Sequence, residues 1–203
     1  NYDLSLEYYY KSLKIFEKLH TPIMLEVCYE CIGRTYLCMG NFDKAEKFAK
    51  KSFDYSTAAG NKRTIGHSLY DIGIVYMHKG NYEQAIKYLE QSVSVFKNIG
   101  LDKMTLETNF MVENITNLFY CYKQIGNNYD KQEIRKYLRK DNLIEFDLGY
   151  QLYLVLNDTS YLETAYNQVQ EKASAMDDGA KFLSYPIPKA ILEEWEKVTT
   201  DKN

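Results

Sequence analysis

The stretch IGRTYLCMGNFDKA at residues 32–45 is followed, forty residues later, by IGIVYMHKGNYEQA at residues 72–85. Both copies begin with Ile-Gly, place a Tyr four residues after the Ile, continue to Gly-Asn and end on Ala. Self-similarity at a fixed period is the signature of a repeat architecture, so the sequence predicts an array of similar units. Asn1-Tyr2 lies one period before Asn41-Phe42. We therefore expect the sequence to begin in the middle of a unit.

Each unit is predicted to be a pair of helices. Apolar residues recur at three- and four-residue steps on both sides of Gly80-Asn81, which is typical of two amphipathic helices joined by a tight turn. Gly33 and Gly73 fall inside the first helix of their units, where Gly costs ~1 kcal/mol relative to Ala. We expect this cost to be offset by close approach of the second helix, with Ala45 and Ala85 facing the two glycines.

The composition agrees with a helical chain. Of the 203 residues, 45% are hydrophobic and 26% charged, and only 3 are Pro and 10 Gly, which leaves little material for a turn-dense β architecture. The net charge of -3 supplies no excess of cations to neutralise phosphates, so we expect no nucleic-acid partner. The sequence has no apolar run long enough for a membrane helix and no basic-then-apolar N-terminus. These features favour a cytoplasmic protein that does not interact with membranes.

The repeat becomes irregular after residue 100. Tyr122 and Gly126-Asn127 match the second unit at an offset of 46, which predicts a six-residue insertion within Lys103 to Thr116, and Phe119 takes the place of the helical Gly. Further predicted segments are a helix at about 129–140, a helix pair at 144–156 and 160–175, and an amphipathic segment at 189–198 that follows Pro186 and Pro188 and carries Trp195. The predicted organisation is the second helix of a truncated repeat at residues 1–22, two full repeats at 23–100, two degenerate helix pairs at 101–178, and a capping helix with its tail at 179–203.

The paired motifs resemble the tetratricopeptide repeat, whose pattern of small and aromatic residues is matched at Ile32, Gly33, Tyr36 and Ala45 and again forty residues later. The forty-residue unit is similar to the variant found in kinesin light chains and in bacterial peptide-sensing and signalling regulators. This resemblance implies an all-α fold, an α-solenoid of antiparallel helix pairs with a degenerate C-terminal part and a capping helix. The phrase at residues 160–166 also resembles the closing helices of repeat domains joined to bacterial cyclases, kinases or caspase-like proteases.

In this family the first helices line a concave groove that binds a protein or peptide partner. The corresponding positions of this chain, the predicted groove residues, are Val27, Glu30, Cys31, Arg34, Leu37, Cys38, His67, Tyr70, Asp71, Ile74, Met77, His78, Glu113, Thr116, Asn117, Tyr120, Lys123 and Gln124. The mixture of charged, aromatic and apolar side chains suits a peptide with apolar anchors and one or two charges. Ordinary solvated helix surface is the alternative interpretation of each position. A second functional hypothesis makes the chain the sensory arm of a signalling enzyme whose catalytic domain lies outside these residues.

The sequence contains no recognisable catalytic motif, so we expect neither enzymatic activity nor a cofactor. Cys28, Cys31, Cys38 and Cys121 are interpreted as reduced packing residues, because no second ligand pair completes a tetrahedral metal site. A redox or metal switch at the first three is a weaker hypothesis. We also expect the apolar side of the first helix, with Leu6, Tyr9, Leu13 and Phe16, to lack a partner, so that this end could pair with a second copy of the chain.

Overall fold

The computed structural model describes residues 2–100, 105–138 and 144–200, and for residues 105–108 it describes the backbone alone. These residues form eleven helices and no strand. The helices are α1 Tyr2–Leu19, α2 Pro22–Cys38, α3 Phe42–Ala59, α4 Lys62–His78, α5 Tyr82–Asn98, α6 Thr105–Gln124, α7 Lys131–Tyr137, α8 Phe146–Leu156, α9 Thr159–Ser174, α10 Gly179–Leu183 and α11 Pro186–Thr200. Each of α1 to α6 packs on the next, and α8 packs on both α6 and α9. The predicted all-α solenoid of helix pairs is confirmed.

The Gly-Asn pairs form the turns between paired helices. Gly40 and Gly80 have φ values of 76° and 75°, in the left-handed region that Gly occupies without steric cost. The following Asn41 and Asn81 cap the next helix, since their side-chain oxygens accept hydrogen bonds from Lys44 N at 3.3 Å and Gln84 N at 3.2 Å. The repeated dipeptide therefore ends one helix and starts its partner.

The helical glycines lie where paired helices approach closely. A Cβ placed on Gly33 would lie 3.3 Å from Ala49 N, and one on Gly73 would lie 2.8 Å from Leu89 Cγ. Close approach at both glycines agrees with the sequence-based expectation. The partner at Gly73 is Leu89 rather than Ala85, although Ala45 and Ala85 are both fully buried.

The third unit departs from the first two. α6 has 20 residues where α4 has 17, so part of the predicted insertion lengthens the helix, while residues 101–104 lie outside the described chain. Phe119, which stands where the first two units have a helical Gly, is buried, and its ring centroid lies 5.2 Å from that of Tyr129. A packed aromatic ring thus replaces the close backbone approach seen at Gly33 and Gly73. The predicted helix at 129–140 is shorter where it is described, since α7 covers only 131–137, and residues 139–143 are not described.

The C-terminal helix begins earlier than the prolines indicated. α11 starts at Pro186 instead of residue 189, because Pro is tolerated in the first turn of a helix, where its missing N–H has no intrahelical partner. α11 packs on α9 and α8, with the indole of Trp195 stacked 5.1 Å from the ring of Tyr166. Ile191 of α11 and Leu162 of α9 are both fully buried in the apolar cluster that these C-terminal helices share. α11 thus covers the apolar surface of the last helix pair.

The C-terminal helices also contact the start of the chain. The ring of Tyr185 lies 4.8 Å from that of Tyr2, and Lys181 pairs with Asp3 at 2.7 Å. A Cβ on Gly40 would lie 2.9 Å from Pro186 Cγ. The array therefore curves far enough to bring its two ends together, and α11 borders the inner side of the curve.

The expectation of an uncovered apolar face on α1 was wrong, because all four of its residues belong to the core cluster under α2 or pack against it. Leu6 and Leu13 are only 9% and 8% exposed, because α2 packs over them, while Tyr9 and Phe16 are half-buried. The exposed apolar side chains of the first two helices are a different set, Leu4, Tyr8, Ile15 and Leu19 on α1 with Ile23, Met24 and Val27 on α2. None of the described helices is both long and apolar enough to cross a membrane.

Candidate functional site

Four inner helices and the C-terminal helix surround one cavity of about 90 Å³, here called the inner cavity. α2, α4, α6 and α8 pass side by side around it because the solenoid stacks one unit on the next. Its lining residues are Arg34, Leu37, Cys38, Tyr70, Asp71, Ile74, Met77, His78, Glu113, Asn117, Asp147, Leu148, Gln151 and Ile187. A wider depression of about 640 Å³ beside the α2–α3 turn is lined mainly by consecutive turn residues. We place the candidate site in the inner cavity, where side chains of separate units meet.

A hydrogen-bonded polar cluster lies between α4 and α6 at this cavity. The hydroxyl of Tyr70 donates to Glu113 Oε1. The amide of Asn117 donates to the Tyr70 hydroxyl at 3.1 Å and to the carbonyl oxygen of Glu113 at 3.0 Å. Tyr70 and Asn117 are only 5% and 4% exposed, so these bonds hold both side chains in fixed positions.

Burial is the largest influence on the pKa values of the acidic side chains that line the cavity. It raises the pKa of Asp71 from 3.8 to about 8, although the positive charge of Arg34 opposes the shift. Burial likewise raises the pKa of Glu113. The carboxylate of Asp71 raises the pKa of the Arg34 guanidinium, whose side chain is 58% exposed and lies 3.6 Å from Glu30. The cavity therefore combines buried acidic groups with one cation at its edge.

Two of the partly buried side chains on α4, His67 and His78, are histidines in the neutral form. Burial lowers the pKa of both His67 and His78 from 6.5 to about 4. His78 lines the inner cavity and stacks on Phe42 with ring centroids 5.7 Å apart. His67 instead packs edge-on against Phe96 and Phe110, so it belongs to the core between α4, α5 and α6.

Ten of the predicted groove residues line the inner cavity. They are Arg34, Leu37, Cys38, Tyr70, Asp71, Ile74, Met77, His78, Glu113 and Asn117. The others lie elsewhere: Val27 is exposed, Thr116 is buried and donates to Val112 O, and Lys123 donates to Leu154 O at 2.7 Å. The ring of Tyr120 packs against Tyr82 at 6.2 Å, Gln124 is exposed, and Glu30 and Cys31 lie beside the cavity lining without joining it.

The sequence prediction missed four lining residues. Asp147, Leu148 and Gln151 come from α8, and Ile187 comes from α11. α8 contains a helical glycine, Gly149, but Leu152 stands three residues after it, where the two clear repeats have a Tyr, so the motif that sets the register is incomplete. Only the alternation of helices around the curve indicates that α8 occupies an inner position.

The four cysteines are free thiols, two buried and two half-buried. Burial raises the pKa of Cys28, Cys31, Cys38 and Cys121. Such thiols are held in the protonated form, which is the less reactive one. Among the described residues, no group of three or more His, Cys, Asp or Glu side chains could hold a metal ion.

Comparisons with known proteins identify the repeats. A family model for the tetratricopeptide repeat matches residues 24–98. The crystal structure of the apo form of RapI superposes with a TM-score of 0.67 at 18% sequence identity, covering 85% of this chain and 64% of the RapI chain. A search of curated proteins finds no match. The chain therefore carries tetratricopeptide repeats over residues 24–98 and has the helical-hairpin solenoid fold of a tetratricopeptide-repeat protein.

Proposed function

We propose that this chain is a protein-interaction module that binds a peptide segment along its inner surface, with one side chain of the peptide entering the inner cavity. The observation that carries this proposal is the convergence of α2, α4, α6 and α8 on one cavity with both apolar and polar lining. Recognition sites of this kind combine apolar walls with a few fixed polar groups. A volume of about 90 Å³ admits one side chain rather than a whole peptide.

The chemistry of the cavity supports binding over catalysis. Cys38 is a potential nucleophile in the lining, but burial raises its pKa and so disfavours the thiolate that a nucleophilic cysteine needs. Tyr70 and Asn117 are engaged in hydrogen bonds within the cluster. Fixed groups of this type are suited to recognition. The same interaction role would serve a sensory arm of a larger signalling protein, in which peptide binding controls a catalytic domain elsewhere.

A cavity-filling variant tests this proposal with a matched control. Gln151 lines the cavity on α8, whereas Gln170 is exposed on α9. Peptides are first selected from a displayed random library for binding to the wild-type protein. They should bind the Gln151→Trp variant at least tenfold more weakly, because the indole fills the space that the peptide side chain would occupy. They should bind Gln170→Trp as tightly as wild type. Thermal melting of both variants verifies folding, and equal affinity for the two tryptophan variants would contradict binding at the inner cavity.

A further inference from the structure

Three buried oxygen atoms at the inner cavity have no hydrogen-bond donor among the described residues. They are Asp71 Oδ2, Asn117 Oδ1 and Gln151 Oε1. Asp71 and Asn117 are only 7% and 4% exposed. A buried acceptor without a donor destabilises the protein, so three such acceptors around one cavity mark a place where a ligand with N–H donors would be stabilised.

The donors of Tyr70 and Asn117 are already used within the polar cluster, and Arg34 pairs with Glu30. The hydroxyl proton of Tyr70 goes to Glu113, and the amide of Asn117 donates to Tyr70 and to the Glu113 carbonyl. These bonds also fix the Asn117 amide so that its oxygen is left as the free acceptor. The Nη1 atom of Arg34 lies 3.6 Å from Glu30, and no ion pair within 4.0 Å joins Arg34 to Asp71 in the described structure.

The lining also carries an excess of acidic groups. Asp71, Glu113 and Asp147 face one described cation, Arg34. A ligand that meets both conditions is a positively charged group with several N–H donors. We propose that the inner cavity binds the ammonium or guanidinium group of the partner peptide, supplied by a Lys or Arg side chain or by the N-terminal amine. This inference rests on the proposed function.

The size of the cavity and the kinds of ligand atoms agree with this class of group. A volume of about 90 Å³ accommodates one ammonium or guanidinium head. A divalent metal ion would find only one carboxylate among the three free oxygens, and the described residues hold no cluster suited to a metal. Because the pKa of Asp71 is raised to about 8, its side chain is mostly protonated at neutral pH in the free protein, and binding of the cation releases that proton, since ion pairing favours the carboxylate.

Positional-scanning hexapeptide libraries test the assignment on the wild-type protein. Each library fixes one position as Lys, Arg, norleucine or Glu, and each is made with a free and with an acetylated N-terminus. At one position Lys or Arg should bind at least tenfold more tightly than norleucine, which has a similar chain without the charge. If the cation is the N-terminal amine, the free and acetylated libraries should differ by a similar factor instead.

The Asp71→Asn variant locates the cation. It should lose the preference for the charged group, while Asp54→Asn, the same substitution at an exposed site on α3, should keep it. Libraries that bind wild-type protein with no preference for Lys, Arg or a free amine would overturn this inference and leave the proposed function standing. Libraries that fail to bind at all would overturn both. Because the comparison of Lys with norleucine needs no variant, it decides the question even if Asp71→Asn fails to fold.

Discussion

Gly66 provides a quantitative test of how α4 packs on α5. A Cβ at this position would lie 2.5 Å from Phe96 Cε2 and 3.0 Å from two further ring atoms. Phe96 is fully buried and its ring is held between His67 at 5.0 Å and Phe110 at 4.7 Å. The ring therefore has no free space into which it can move, and Gly66→Ala must separate the two helices.

The expected loss combines opposing terms. Ala is favoured over Gly inside a helix by about 1 kcal/mol. Overpacking a filled core costs about 1–3 kcal/mol. Separation of the helices also stretches the buried bond from Ser92 Oγ to Gly66 O, now 2.7 Å, and the bond of equal length from Asn114 to Ser92. Each such bond contributes about 1 kcal/mol, so the net loss is about 2–4 kcal/mol.

Thermal and urea unfolding measure this loss directly. For a chain of this size, 2–4 kcal/mol corresponds to a fall in melting temperature of about 5–15 °C. Gly33→Ala is the matched control, because its Cβ would meet Ala49 N at 3.3 Å, a contact that small shifts relieve. That variant should stay within about 1 kcal/mol of wild type, since the helix-propensity gain offsets the tight contact. A Gly66→Ala protein as stable as wild type would refute the described packing of α4 on α5.

Three further predictions concern other parts of the molecule. Burial lowers the pKa of His78 from 6.5 to about 4, so the neutral imidazole contributes stability above pH 6.5 that is lost as the pH falls toward 4. In urea titrations at several pH values, His78→Gln should reduce this acid-induced loss of unfolding free energy by up to about 3 kcal/mol. A pH profile identical to that of the wild type would contradict this prediction. Trp195→Ala removes the stacking on Tyr166 and should destabilise the C-terminal helices by about 2–3 kcal/mol, seen as faster hydrogen exchange in α9 and α11 than in α4; uniform exchange throughout would count against a distinct C-terminal cluster. If the exposed side chains Ile15 and Leu19 mediate pairing with a second copy, Ile15→Lys with Leu19→Lys should abolish concentration-dependent sedimentation, whereas wild-type protein that sediments as a monomer at all concentrations would exclude such a dimer.

The repeats could be predicted because their determinants are local. Gly40 and Gly80 adopt a backbone conformation that favours Gly, and the following Asn residues cap the next helix, so each dipeptide marks a turn on its own. Gly33 and Gly73 likewise signal close helix packing from sequence position alone. Phe119 breaks this pattern because Tyr129 packs against it, a contact that periodicity does not encode.

The candidate site could be predicted only in part. Tyr70 and Asp71 follow from the register of the second unit, and Asn117 follows once the Gly126-Asn127 turn aligns the third. Gln151 and Ile187 could not be predicted, because their positions depend on how far the array curves. The same curvature brings Tyr185 to Tyr2, and this contact between the two ends results from small rotations accumulated over all units.

The crystal structure of the protein with its tightest-binding library peptide tests the central claim most directly. The account predicts that the peptide lies along the inner surface with a charged N–H donor within about 3.2 Å of Asp71 Oδ2 or Asn117 Oδ1, the range of a hydrogen bond. A peptide bound on the outer helices, or one that places an apolar or acidic side chain in the inner cavity, would contradict it.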